Sequence, residues 1–208
     1  MTAVLQFSAV KWGRMNPLTF VLEKGTVSVL HLASREEKAS VIDLALGERM
    51  PEAGNVTLDG AALDAAPPGS LGWVPENGDL IGNLKTWENV TLPLWYHRTR
   101  RVAETEAALS RWLTALGVQD GAMAAFMASP AARLNALERK RAGLLRGLLL
   151  APRVLVVDAG LFSGVSREEV ISWMAALDEL VAGEAGNSVL VAAAPTDPAP
   201  GWQAIAAG

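Results

Sequence analysis

Short apolar runs alternate with stretches of helical period along this chain, and that alternation restricts its fold more than any other feature. Thr26–His31 (TVSVLH) is β-branched and compact and reads as a buried strand. Val154–Val157 reads as another, closing on Asp158, and Leu71–Val74 and Ser188–Ala192 read as two more. Between them, Ser34–Leu46 reads as a helix ending at Gly47. Leu109, Trp112, Leu113 and Leu116 recur at helical spacing, as do Leu137, Arg141, Leu144, Leu145 and Leu148 ahead of Pro152. Ser166-Arg167-Glu168-Glu169 is a capping box opening a helix with Val170, Met174, Leu177 and Val181 on one face. Strands alternating with helices predict a largely parallel sheet, hence an α/β domain. Val4–Val10, Leu18–Leu22 and Asn55–Leu58 add strands, the last followed by a tight turn at Asp59-Gly60, and Trp202–Ile205 reads as an edge strand.

A chain of 208 residues suits one domain over 1–208 with a substantial core. With 22 acidic and 18 basic residues the net charge is −4, and no basic block is present, which argues against nucleic acid as a partner. The lack of cysteine excludes disulfides, cysteine-based zinc sites and thiol catalysis, and two histidines leave no His-rich metal site. The most apolar stretch, Leu144–Phe162, is broken by Arg146, Arg153 and Asp158, whereas a spanning helix needs about 20 mostly apolar residues. Met1-Thr2-Ala3-Val4 has no basic region before an apolar run, so a signal peptide is not expected and the chain reads as cytoplasmic. Four or five of the seven tryptophans are expected in the core, while Trp87, Trp95 and Tyr96 cluster as interface aromatics do.

Several landmarks fall in a consistent order. Glu23-Lys24-Gly25 leads into an apolar strand; Ala45-Leu46-Gly47 precedes Gly54–Gly60 (GNVTLDG); Gly72–Asn77 reads GWVPEN; Asn83–Leu94 reads NLKTWENVTLPL; and Leu148–Asp158 approaches an acid through an apolar strand. Together these resemble the nucleotide-binding subunit of ABC transporters. Asn83–Leu94 is the sharpest match and is similar to the ATPase subunit of MCE-type (Mla-like) lipid transporters. The resemblance implies a P-loop NTPase-like (ABC ATPase) fold, mainly a parallel sheet flanked by helices, with a small helical subdomain over about 84–140.

At the positions that would carry chemistry, the chain departs from that family. Leu32–Ser40 (LASREEKAS) falls at the phosphate loop, with Lys38 where a phosphate-contacting lysine belongs. Leu32, Arg35 and Glu37 replace three glycines, whose role is to let backbone N–H groups face the phosphates. Ala39 replaces a magnesium-holding hydroxyl, leaving Ser40 beside it. On its own residues, Ser34–Glu37 is a capping box in which Ser34 accepts the Glu37 N–H and Glu37 reaches back to the N–H of Ser34. A triphosphate there meets like charge, at about 4 kcal/mol per pair for a separation of about 4 Å and an effective dielectric of about 20. Lys38 reads as a solvated helix lysine or as a vestigial phosphate ligand, and Trp12 as a half-buried strand-end residue or as an adenine-stacking aromatic.

Asp158 matches the family's aspartate that reaches magnesium through water, but Ala159 follows in place of the glutamate that orients the attacking water. Glu76 takes the place of the Q-loop glutamine. In Leu134–Arg141, Ala136 and Leu137 replace the signature glycines, and Asn135 reads as a helix cap. Ser166 reads as a cap near the D-loop, and Val191–Pro195 lacks the switch histidine. No catalytic set remains, so the chain does not read as a working ATPase. Neither ATP nor magnesium is expected as a cofactor, save in the alternative of a divergent ATPase using Lys38 and Asp158.

The resemblance therefore implies a pseudo-ATPase: a structural or regulatory subunit of a membrane transport complex, lipid-related, peripheral on the inner membrane. Its implied partners are an integral-membrane permease and a second ABC-type subunit, identical or not. The stretch 73–98 falls where the family receives a permease helix, and Trp87, Leu92, Trp95 and Tyr96 read as anchors there or as internal packing. The other rival is a soluble P-loop relative with no membrane partner.

Overall fold

The computed structural model describes residues 2–97, 102–183, 185–198 and 201–207. Met1 and Arg98, which bound two segments read above, lie outside the described residues. In chain order the elements are β1 (Ala3–Lys11), β2 (Leu18–Glu23), β3 (Val27–His31), α1 (Arg35–Ala45), β4 (Ala53–Leu58), β5 (Ala61–Ala62) and β6 (Leu71–Val74). Then follow α2 (Thr86–His97), α3 (Val102–Ala115), α4 (Asp120–Ala128), α5 (Ala136–Leu150), β7 (Val154–Asp158), α6 (Arg167–Ala182), β8 (Ser188–Ala193) and β9 (Gln203–Ala204).

The expected parallel sheet is present in the order β6-β7-β8-β3-β9. A second, antiparallel sheet, β2-β1-β4-β5, carries the remaining strands. Successive side chains of a strand point to opposite faces, so each central strand feeds two cores. Leu30, Val154, Val156, Leu190 and Ala192 pack with α1 and the antiparallel sheet. Val29, Leu155, Val157, Val189 and Val191 pack with helices α2, α3, α5 and α6. Both faces of the parallel sheet are thus covered, which explains why β3, β7 and β8 read as unbroken apolar runs. The tight turn falls where the sequence put it: Leu58 pairs with Ala61, and Asp59 and Gly60 take φ of 49° and 81°. That conformation matches the strand twist and favours the Asp-Gly pair.

The register levels three strand ends at one edge, with Asp158 opposite Ala192 and His31 opposite Ala193. Near that edge the loop after β6 crosses α5 so closely that a Cβ on Gly143 would stand 2.5 Å from Gly78 Cα. Arg146 holds this crossing, donating to the carbonyls of Gly78 and Asp79 at 2.9 Å each. The tryptophans depart from expectation, because only Trp112 and Trp173 are buried. Trp12, Trp73 and Trp202 sit half-buried at element ends, while Trp87 and Trp95 are exposed. Among the described residues no helix is long and apolar enough to cross a membrane.

Candidate functional site

In an open α/β sheet, ligands bind outside the carboxyl ends of the parallel strands. Here β3, β7 and β8 end together, and α1 starts four residues after β3. Ser34 caps α1, its Oγ accepting the Glu37 N–H at 3.1 Å. The expected reciprocal bond differs by one residue: Glu37 Oε2 accepts the N–H of Ala33, at 2.6 Å, rather than that of Ser34. The extended backbone of Ser34 (φ −153°) aims the preceding amide, not its own, at the carboxylate.

Lys38 is no solvated helix lysine. Its side chain turns inward and is buried, and Nζ donates to Asp158 Oδ1 at 2.6 Å and to Asp197 Oδ2 at 2.7 Å. Asp197 lies on the loop after β8 and also accepts the N–H of Ala194 at 2.9 Å. Asp158 Oδ1 accepts a second bond from the Gly160 N–H at 2.8 Å, which starts the one-turn helix Ala159–Phe162. One ammonium therefore ties the starts or ends of three elements. Burial opposes the charge on Lys38, but the bonds and charges of Asp158 and Asp197 outweigh it and raise its pKa above the ordinary lysine value. Burial likewise opposes ionisation of Asp197, yet the bonds from Lys38 and Ala194 and the charges of Lys38 and Arg35 hold its pKa below the ordinary range.

The other expected site residues scatter around this clamp. Trp12 lines an open cleft with Asn16, Ser34, Glu36, Glu37 and Ser40, and the Arg49 guanidinium lies 5.5 Å from the centre of its ring. The Ser40 hydroxyl is spent inside its own helix, donating to the Glu36 carbonyl at 3.0 Å. Glu76 packs against the turn after Asp158, where a Cβ on Gly160 would meet Glu76 Cδ at 2.8 Å. Asn135 caps α5 in a full capping box with Glu138, both bonds at 2.9 Å, and Ser166 caps α6 with Glu169.

Sequence reasoning missed three residues. Asp197 sits in an ordinary Thr196-Asp197-Pro198 turn, and nothing local marks it. Lys140 is buried and uses all three of its donors on the carbonyls of Gly160, Leu161 and Ser163, at 2.9, 3.1 and 2.8 Å. Burial pushes its pKa below the ordinary lysine value, against the pull of Glu76 and Asp158. Asn89 is the third: its Oδ1 accepts the Ile81 N–H at 2.7 Å, and its Nδ2 donates to the Ile81 and Lys85 carbonyls, both at 3.1 Å. Asn89 thereby fastens the loop 81–85 to α2. On the outer side of α2, Trp87, Leu92, Trp95 and Tyr96 stand in solvent, while Val90 and Leu94 pack inward. The reading of those four as internal packing does not hold.

A family model described as ABC transporter matches residues 15–160. The sulfate/thiosulfate import ATP-binding protein CysA of Mycobacterium tuberculosis is 26% identical over 171 residues, covering 80% of this chain and 47% of the relative. The taurine import ATP-binding protein TauB of Pseudomonas aeruginosa is 28% identical over 158 residues, covering 75% of this chain and 57% of the relative. The chain thus spans about half the length of the curated relatives it matches. Among solved structures, an ATP-binding subunit of an ABC transporter superposes with a TM-score of 0.78 at 19% identity, covering 92% of this chain and 80% of the other. A dimeric ATP-binding cassette in a post-hydrolysis state, bound to ADP and Pi, gives 0.72 at 19% identity, covering 90% and 87%.

The expectation that no cofactor belongs to this chain is overturned by these matches, since the relatives are ATP-binding proteins and one structural neighbour holds ADP and Pi. The physical reason is that losing the glycines changed the loop but not the framework: Lys38 and Asp158 are still brought within 2.6 Å at the strand ends. The residues in this arrangement nevertheless do not fit a triphosphate. The Ala33 N–H, which would face an anion, is taken by Glu37, and Lys38 is taken by two carboxylates.

Proposed function

We propose, from the premise that this chain belongs to the ABC transporter family, that it serves as the ATP-binding-type subunit of a membrane transport complex. Its fold is the P-loop ABC ATPase fold. The observation that carries the proposal is the outer face of α2. Trp87, Leu92, Trp95 and Tyr96 expose from 42% to 82% of their surface on a helix whose base is locked by Asn89. Large aromatics held rigidly in solvent are the anchors that an interface buries. The partner is an integral-membrane permease, which places the chain at the cytoplasmic membrane face, and a second ABC-type subunit completes the assembly. The segment of about 84–140, a helical subdomain, presents the docking face. A lipid-related cargo rests on the likeness of Asn83–Leu94 to lipid-transporter subunits.

A second reading, in which the subunit has lost hydrolysis and acts structurally or in regulation, is favoured by a specific observation. The α1 and α5 starts, which the family turns toward nucleotide, are both closed by this chain's own glutamates, Glu37 and Glu138. Ala159, buried, also stands where a water-orienting carboxylate would be.

Recovery of the complex from detergent-solubilised membranes tests the main proposal. The tagged wild-type chain is expected to bring down a multi-span polypeptide identified by mass spectrometry, and the Trp87→Ser, Trp95→Ser double variant to lose it with its melting temperature unchanged. Equal recovery by both overturns the docking face. Phosphate release by the recovered complex separates the two readings: turnover above background supports the first, and background turnover the second.

A further inference from the structure

The clamp around Lys38 is unlike an ordinary surface ion pair. Three side chains from α1, β7 and the loop after β8 meet with side-chain exposures of 7%, 12% and 5%. Of the two carboxylates, Asp158 is fixed twice over, by Lys38 and by the Gly160 N–H inside a rigid turn. Asp197 is fixed by Lys38 and by Ala194, three residues away on its own loop. Among the described residues, a 3.4 Å contact from Arg35 Nη2 to Thr196 Oγ1 also links that loop to α1. Asp158 is thus part of the framework, whereas Asp197 is carried by the loop after β8 and bonded within it. If it left, Lys38 Nζ would lose one of its two carboxylates and Arg35 Nη2 its contact with Thr196.

We propose that Asp197 is the gate of an anion site built on Lys38: its carboxylate holds the ammonium that a polyphosphate would otherwise take. The inference rests on the nucleotide-binding reading above and deepens it, because it turns a site that does not fit its ligand into one that is shut by a removable group. A shut site binds with its intrinsic affinity reduced by the fraction of time it stands open. Neutralising Asp197 while keeping its shape raises that fraction and leaves Asp158 to hold Lys38 in place.

Equilibrium titrations of Mg-ATP and of inorganic tripolyphosphate against the full chain test this, with circular dichroism to confirm the fold. Asp197→Asn is expected to bind both probes about tenfold more tightly than the wild type, and Lys38→Met placed on top of it to lose the gain. A gain for tripolyphosphate without one for ATP keeps the gate and overturns the nucleotide reading. ATP binding by the wild type that Asp197→Asn does not improve overturns the gate and keeps the nucleotide reading. No binding of either probe by either folded protein overturns both. Should Asp197→Asn fail to fold, Asp197→Ser removes the same charge with a smaller side chain and is read against the same outcomes.

Discussion

The strand-end edge around Lys38 and the outer face of α2 handle their surfaces in opposite ways. At the edge, polar groups that a ligand would use are bonded to one another: Ala33 to Glu37, and Lys38 to Asp158 and Asp197. On α2, large apolar side chains that an ordinary fold would cover are left in water, and the polar network of Asn89 lies beneath to hold them still. A buried charge must be paired or it is costly, whereas an exposed aromatic costs the folded chain little. The edge is therefore tied to stability and the α2 face, on the docking proposal, to association, so substitutions in the two regions should separate cleanly.

Lys38→Met should strike hardest. It leaves Asp158 and Asp197 buried without their shared cation, and removing one partner of a buried pair costs about 3–5 kcal/mol. Urea unfolding reads the loss; a change under about 1 kcal/mol would mean that the clamp is not formed in solution. Asn89→Ala comes next, since it leaves the Ile81 N–H without its partner, at about 1–3 kcal/mol. It should also weaken permease recovery although the aromatics are untouched, and full recovery would break the link between the network and the docking face.

The clamp has a pH signature. The folded pKa of Asp197 lies below its ordinary value of 3.8, so its contribution is present above about that pH and is lost as pH falls through the lower folded value. The folded pKa of Lys38 lies above 10.5, so its contribution is present below that pH and is lost as pH rises through the higher folded value. Asp158 and Arg35 face the same cluster. Stability measured against pH should lose part of its acid-limb slope in Asp197→Asn, and an unchanged slope would place the carboxylate outside the clamp. Trp95→Ser should have the smallest effect on stability, within about 0.5 kcal/mol, while permease recovery falls. A large stability loss with normal recovery would reverse the comparison.

Much of the fold could be read from local pattern. The strands around Thr26–His31, Leu71–Val74 and Val154–Asp158, the caps Ser34, Asn135 and Ser166, and the Asp59-Gly60 turn all depend on residues within a few positions of one another. What escaped was nonlocal. Lys38 and Asp158 were each marked by resemblance, but their bond spans 120 positions, and Asp197 meets Lys38 across 159. No window of sequence carries that encounter; the parallel register that levels β3, β7 and β8 creates it. The same holds for Lys140, which reaches carbonyls 20 to 23 residues away. Glu37 shows a finer limit, since the capping pattern was legible but the backbone angle at Ser34 selected which amide it takes.

On the gate proposal, the Asp197 carboxylate keeps phosphate from Lys38. A crystal structure of the Asp197→Asn variant grown with Mg-ATP tests it most directly. The account predicts phosphate oxygens within hydrogen-bond distance of Lys38 Nζ, with Asp158 still bonded to the Gly160 N–H. Lys38 remaining on Asp158 with no phosphate beside it, in crystals saturated with the nucleotide, would contradict it.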